Sequence, residues 1–94
     1  MRWKLFADLA EVAGDSEIEV EVERPEGGEP TVDDALAALL DERPALADRV
    51  LEDGELREHV NLLRNGRSVA EEAGLATPVE PGDELAMFPP VSGG

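Results

Sequence analysis

Cysteine is absent from the 94 residues, which removes disulfides, thiolate metal sites and a thiol nucleophile together. There is a single histidine, His59, and one histidine cannot build a zinc site. No stretch approaches the ~18 consecutive apolar residues of a membrane span. The opening Met1-Arg2-Trp3-Lys4-Leu5 runs into an acidic stretch without the apolar core of a signal peptide. A cytoplasmic location is therefore expected. Positive charge is scarce: 8 basic residues face 23 acidic ones, for a net charge of −15. That excess repels phosphate and argues against nucleic acid or an anionic membrane as partner. Seven of the basic residues are arginine and only Lys4 is lysine. With acidic residues along the whole chain, this is the surface expected of a protein adapted to a salt-rich, halophilic cytosol. Aromatics are few, a trait shared with disordered acidic chains. However, 41% of residues are apolar and recur in periodic blocks, which predicts a folded protein.

The length is that of one small domain with a compact core and no room for a large enclosed substrate cavity. Trp3, Leu5 and Ala7 alternate with Lys4 and Phe6, and Glu17 to Glu23 alternates Glu with Ile18, Val20 and Val22. Both patterns predict strands with one apolar face. The residues between them, 8–15, carry a Gly-Asp turn and are expected to form a hairpin connection. After the turn-rich segment Arg24 to Pro30, Thr31 offers an N-cap with Asp34 three residues on. Val32, Ala35, Leu36, Leu39 and Leu40 then share one helical face. The helix should end before Pro44, which can open a short second turn through Val50. Asn65-Gly66 between His59–Arg64 and Arg67–Val69 predicts a hairpin, and Glu84–Phe88 a last strand that Pro89 must end. One main helix on a mixed sheet of four to five strands is an α+β layer arrangement. The expected division is a domain over residues 1–88 and an extended tail over 89–94.

The segment from Leu85 to Gly94 holds ten residues without a charged side chain in a chain that is 33% charged. Pro89-Pro90 favours an extended polyproline conformation, so the tail should project as an arm. Gly93 and Gly94 lack a Cβ and let backbone approach a reacting group closely. A terminal carboxylate is a poor electrophile. Useful acyl transfer from Gly94 therefore requires prior activation, for instance as an acyl-adenylate made from ATP by a partner enzyme whose slot admits only backbone. Phe88, Pro89, Pro90 and Val91 would supply an apolar docking patch whose contacts do not weaken in salt.

Phe88-Pro89-Pro90-Val91-Ser92-Gly93-Gly94 resembles the C-terminal signature of MoaD/ThiS-type sulfur carriers and of the small archaeal modifier proteins, relatives of ubiquitin. Ser92 stands where that family often has alanine. Leu5 to Glu11 is similar to the family's first strand and following turn, and His59 to Gly66 to its central hairpin. The resemblance implies a ubiquitin-like β-grasp fold. It also implies activation of Gly94 by an ATP-using, E1-like adenylating enzyme and conversion to a thiocarboxylate for molybdopterin (molybdenum cofactor) biosynthesis with the large subunit of molybdopterin synthase. Members can alternatively be joined by isopeptide bond to lysines of target proteins. On this reading the chain is a carrier and not an enzyme. It binds no cofactor, and the catalytic side chains belong to its partners. The alternative is a ubiquitin-like binding module without tail chemistry.

The remaining constellations read more simply. Asp33-Asp34 at the first turn of a helix complement its dipole. His59 beside Glu58, with Asp53 nearby, has no nucleophile close in sequence. Gly27-Gly28 lacks the lysine and glycine spacing of a phosphate loop. No metal site is expected. Lys4 is the only side-chain amine through which copies could link to each other, although a plain surface lysine is the simpler reading.

Overall fold

The computed structural model describes residues 1–22, 28–57 and 60–89. Strand β1 (Arg2–Leu5) leads through helix α1 (Asp8–Ala13) to β2 (Glu17–Glu19), and the main helix α2 (Val32–Glu42) follows. A 3-10 turn (Pro44–Leu46) and the short α3 (Ala47–Val50) lead into a small hairpin, β3 (Leu51–Glu52) and β4 (Glu55–Leu56). Next come β5 (Asn61–Arg64), β6 (Arg67–Ser68), two 3-10 turns (Val69–Glu71, Gly74–Ala76) and β7 (Glu84–Phe88). The main sheet has five strands in the order β2-β1-β7-β5-β6, with β1 parallel to β7 and the other neighbours antiparallel. This is the mixed sheet on a main helix expected from the pattern, and its chain order is that of a β-grasp.

Period-2 alternation sends Trp3 and Leu5, Ile18, Leu62, and Leu85 and Met87 to one face, where they are buried with Val32, Ala35, Leu36 and Leu39 of α2. Trp3 is fully buried, and its indole N–H donates to the Ala35 carbonyl at 3.1 Å. Burying an indole contributes about 4–6 kcal/mol before entropy. The hydrogen bond keeps its one polar atom from subtracting from that gain. Helix α2 begins as its residues dictate: Thr31 Oγ1 accepts the Asp34 N–H, and the Asp34 carboxylate accepts the Thr31 N–H at 2.8 Å. Ahead of Pro44, Arg43 leaves the helical region and ends α2. Its side chain then donates to the Ala13 carbonyl at 3.1 Å, tying α1 to the end of α2.

Four local expectations are corrected. Residues 8–15 are not a bare hairpin connection, because Leu9 and Ala13, four apart, bury one face of α1, and Gly14 closes it at φ 87° with its N–H on the Ala10 carbonyl. The first strand stops at Leu5 and not at Ala7, which turns the chain with φ 53°. The second ends at Glu19 and not at Glu23: its ladder with β1 closes at the Arg2–Glu19 pair, and Val20 and Met1 exchange one further pair of backbone hydrogen bonds outside the strands. Val69 opens a 3-10 turn, with Ser68 Oγ accepting the Ala70 N–H, and does not extend the hairpin. The β3–β4 hairpin was not expected. It turns at Asp53-Gly54 with both φ positive, 54° and 81°, as at Asn65-Gly66 with 50° and 83°. Among the described residues no helix is long and apolar enough to cross a membrane.

Candidate functional site

The sheet face turned away from α2 carries the alternate residues of each strand. Register places Lys4 beside Ala86 and Glu17, and Leu63 beside Ala86 and Ser68. Along one side the face is charged: Arg2 pairs with Glu17 at 3.7 Å and Glu19 at 3.3 Å, and Lys4 Nζ lies 3.4 Å from Glu84. Toward the ends of β1 and β7 it becomes apolar. Phe6 and Phe88 stack with ring centroids 4.3 Å apart and planes 8° from parallel, next to the half-buried Leu63 and Ala86. Phe6 is 39% exposed, and among the described residues no other large apolar side chain is as open to solvent. Phe88 therefore lies on the open face and not in the core. Leu63 and above all Phe6 were not picked out as site residues from the sequence. The signal for Phe6 was its place out of phase with Trp3 and Leu5, which puts an aromatic on the solvent side of a strand.

Pro89 follows Phe88 directly, at a notch of about 400 Å³ lined by Asp8, Leu9, Asp48, Arg49 and Arg57. The patch thus lies at the root of the tail. Pro90, Val91, Ser92, Gly93 and Gly94 lie outside the described residues, and with them the expectations attached to the arm and its terminal glycines.

The start of β7 is clamped by Asp83, which is buried. One carboxylate oxygen accepts Arg64 Nε at 2.7 Å and the Glu80 N–H at 2.8 Å, while the other accepts Asn65 Nδ2 at 3.0 Å. Asn65 in turn accepts the Glu84 N–H at 2.9 Å. Burial by itself would push this carboxyl up. The Glu80 N–H, the Asn65 amide and the Arg64 guanidinium outweigh it and hold Asp83 below the usual carboxylate range. The same hydrogen bond raises Arg64. The clasp locks the β5–β6 turn to β7 and so helps set the register that places Phe88.

The other candidates separate. Asp34 is spent in the capping box and Asp33 sits in the same first turn. Asp53 is a turn residue, whereas Glu58, His59 and Gly27 lie outside the described residues. No group of three or more metal-ligating side chains is brought together among the described residues. A concavity of about 670 Å³ between β2 and α2 is an open groove around Ala37 and Ala38, with Glu19, Glu21, Asp34, Asp41 and Glu42 about it. Carboxylates at that density repel the phosphates of a nucleotide.

The ThiS family model matches residues 3–94. The chain is 56% identical to small archaeal modifier protein 1 of Haloferax volcanii over 95 residues, which covers all of both chains. The crystal structure of that protein superimposes with a TM-score of 0.87 at 54% identity, over 100% of this chain and 98% of the other. A protein of Archaeoglobus fulgidus named as a sulfur carrier is 35% identical, with 86% of this chain and 85% of that one covered. A Pyrococcus furiosus structure named as subunit 1 of a molybdopterin converting factor matches with a TM-score of 0.71 at 30% identity, covering 96% of this chain and 95% of the other. The chain belongs to the ThiS family, and its fold is the ubiquitin-like β-grasp.

Proposed function

We propose that this protein is a ubiquitin-like carrier whose reacting group is the carboxyl of Gly94, and that residues 89–94 work as an arm extending from the domain of residues 1–88. The observation that carries the reading is the exposed Phe6–Phe88 stack at the base of the segment leading to Gly94. A monomer gains little by leaving its most exposed aromatic there, whereas a partner that must grip the domain and accept its tail gains an anchor. Phe88 and Pro89 carry that surface toward the tail, and Pro90 and Val91 follow them in sequence. The partner is an E1-like adenylating enzyme. A Gly94 oxygen attacks the α-phosphate of ATP, and the bond to the β-phosphate breaks with loss of pyrophosphate. ATP is held by the partner, in keeping with the carboxylates around this chain's open groove.

The acyl-adenylate has two outlets. A sulfur nucleophile displaces AMP and leaves a thiocarboxylate for molybdopterin synthesis at the large subunit of molybdopterin synthase. This outlet is supported by the relatives named as sulfur carrier and converting-factor subunit. A target lysine displaces AMP and forms an isopeptide bond, an outlet supported by the full-length likeness to a modifier protein.

Deleting Gly93 and Gly94 tests the reading. The shortened chain ends at Ser92, about 7 Å short at ~3.3–3.6 Å per residue. Pyrophosphate exchange by the activating enzyme should fall to background while the melting temperature stays unchanged. Exchange at the full-length rate would remove Gly94 from the chemistry.

A further inference from the structure

Lys4, the chain's only lysine, stands on the same sheet face as the aromatic stack. Its register partner is Ala86, it pairs with Glu84 at 3.4 Å, and its side chain is 38% exposed. Phe6 is two residues along the chain, just past the end of β1 and about 7 Å away. An interface of standard size covers ~800 Å² per partner, a disc of about 16 Å radius. Centred on the Phe6–Phe88 stack, such a footprint contains Lys4 with about 9 Å to spare. The single side-chain amine able to accept the Gly94 acyl group of a second copy therefore lies inside the surface that activation requires.

We propose that acylation of Lys4 by Gly94 of a second copy blocks activation of the acceptor copy, so that linked pairs cannot be reloaded and chains grow only from the unmodified end. The inference rests on the reading of the aromatic face as the enzyme's docking surface. In the linking step Lys4 Nζ attacks the acyl carbon of the second copy's adenylate. A C–N bond forms, the C–O bond to AMP breaks and AMP departs. Two protons leave Nζ for solvent, the first past the Glu84 carboxylate 3.4 Å away, which must release it before the second can follow. The product carries a peptide arm rising from within the docking footprint. For the enzyme to engage the same face, that arm would have to run about 9 Å between two packed surfaces, which forfeits their contact and excludes the fit that anchors need. The Lys4–Glu84 ion pair is lost as well.

A linked pair has one free Gly94, that of the acceptor, so pyrophosphate exchange reads the acceptor directly. Three substrates are compared with the activating enzyme: the unmodified chain, a pair joined at Lys4, and a pair joined through the side chain introduced by Asp41→Lys on α2, across the domain. Circular dichroism establishes that each is folded. The Lys4-linked pair should support less than a tenth of the unmodified rate, and the pair joined on α2 should keep most of it. Equal exchange by both pairs would overturn the inference while leaving the function of Gly94 standing. Loss in both pairs would also overturn it, since any attached copy would then obstruct. No exchange with the unmodified chain would instead defeat the functional reading beneath it.

Discussion

Asp83 accepts from three donors in a buried position, so removing its carboxylate strands Arg64 Nε, the Asn65 amide and the Glu80 N–H. Asp83→Ala should cost about 2–4 kcal/mol in denaturant unfolding. Asp8→Ala, which breaks an exposed pair with Arg49, should cost no more than about 1 kcal/mol. The pH dependence follows from the direction of the shift. A carboxyl held low in the folded state contributes its full stabilisation above the unfolded value of about 3.9 and loses it as pH falls through the folded value. The stability gap between the parent and Asp83→Asn should therefore be constant near neutrality and close in acid below about pH 4. At the other end of β7, Phe6→Ala and Phe88→Ala remove partners from a solvent-facing stack. Each should weaken binding to the activating enzyme by about 2 kcal/mol, roughly 30-fold. Affinity and melting temperature, measured together, separate an anchor from a packing residue. Unaltered affinity excludes the anchor.

Among the elements, α2 was legible in the sequence because its signals are local: a capping box, apolar residues three and four apart, and a proline after its end. Thr31→Ala removes the acceptor for the Asp34 N–H and should cost about 1 kcal/mol, read as a lower melting temperature with the sheet intact. Strand β7 was legible for the same reason, bounded by a turn and by Pro89. The short elements were not. Helix α1 has only 6 residues and takes its stability from burying Leu9 and Ala13 against the core, and a single pair of apolar residues four apart is too short a pattern to tell a helix from a turn. The β3–β4 hairpin has two residues per strand, too few to show alternation. Its Asp-Gly turn was the one available signal. The end of β2 was set by its ladder with β1, which closes at the Arg2–Glu19 pair although the alternation of Glu and Val continues past it.

Across the whole molecule, charge outweighs every other surface feature. At net −15 the folded state concentrates carboxylates that repel one another, and the acid-lined groove between β2 and α2 is one place where they crowd. Molar salt cuts the Debye length to ~3 Å and relieves that repulsion. The melting temperature should thus rise between dilute buffer and molar potassium chloride, by about 4–8 °C for each kcal/mol recovered in a domain of this size. Coincident melts would show that the acidic surface is not tuned to salt. Under the same conditions binding through Phe6 and Phe88 should persist, because apolar contacts are not screened.

By itself the sequence determined the fold class, the main helix and its caps, the last strand, the acidic surface and the Gly-Gly end, each written in neighbouring residues or in composition. Only the tertiary structure decided which residues meet. The parallel pairing of β1 with β7 brings Phe6 onto Phe88 across more than eighty residues of chain. It also sets Lys4 beside Glu84, on the same sheet face as the aromatic pair. The Asp83 clasp likewise joins a turn to a distant strand. Such contacts depend on strand order and register, which are chosen by how the apolar faces of all the strands close together over α2, and no local pattern encodes that choice.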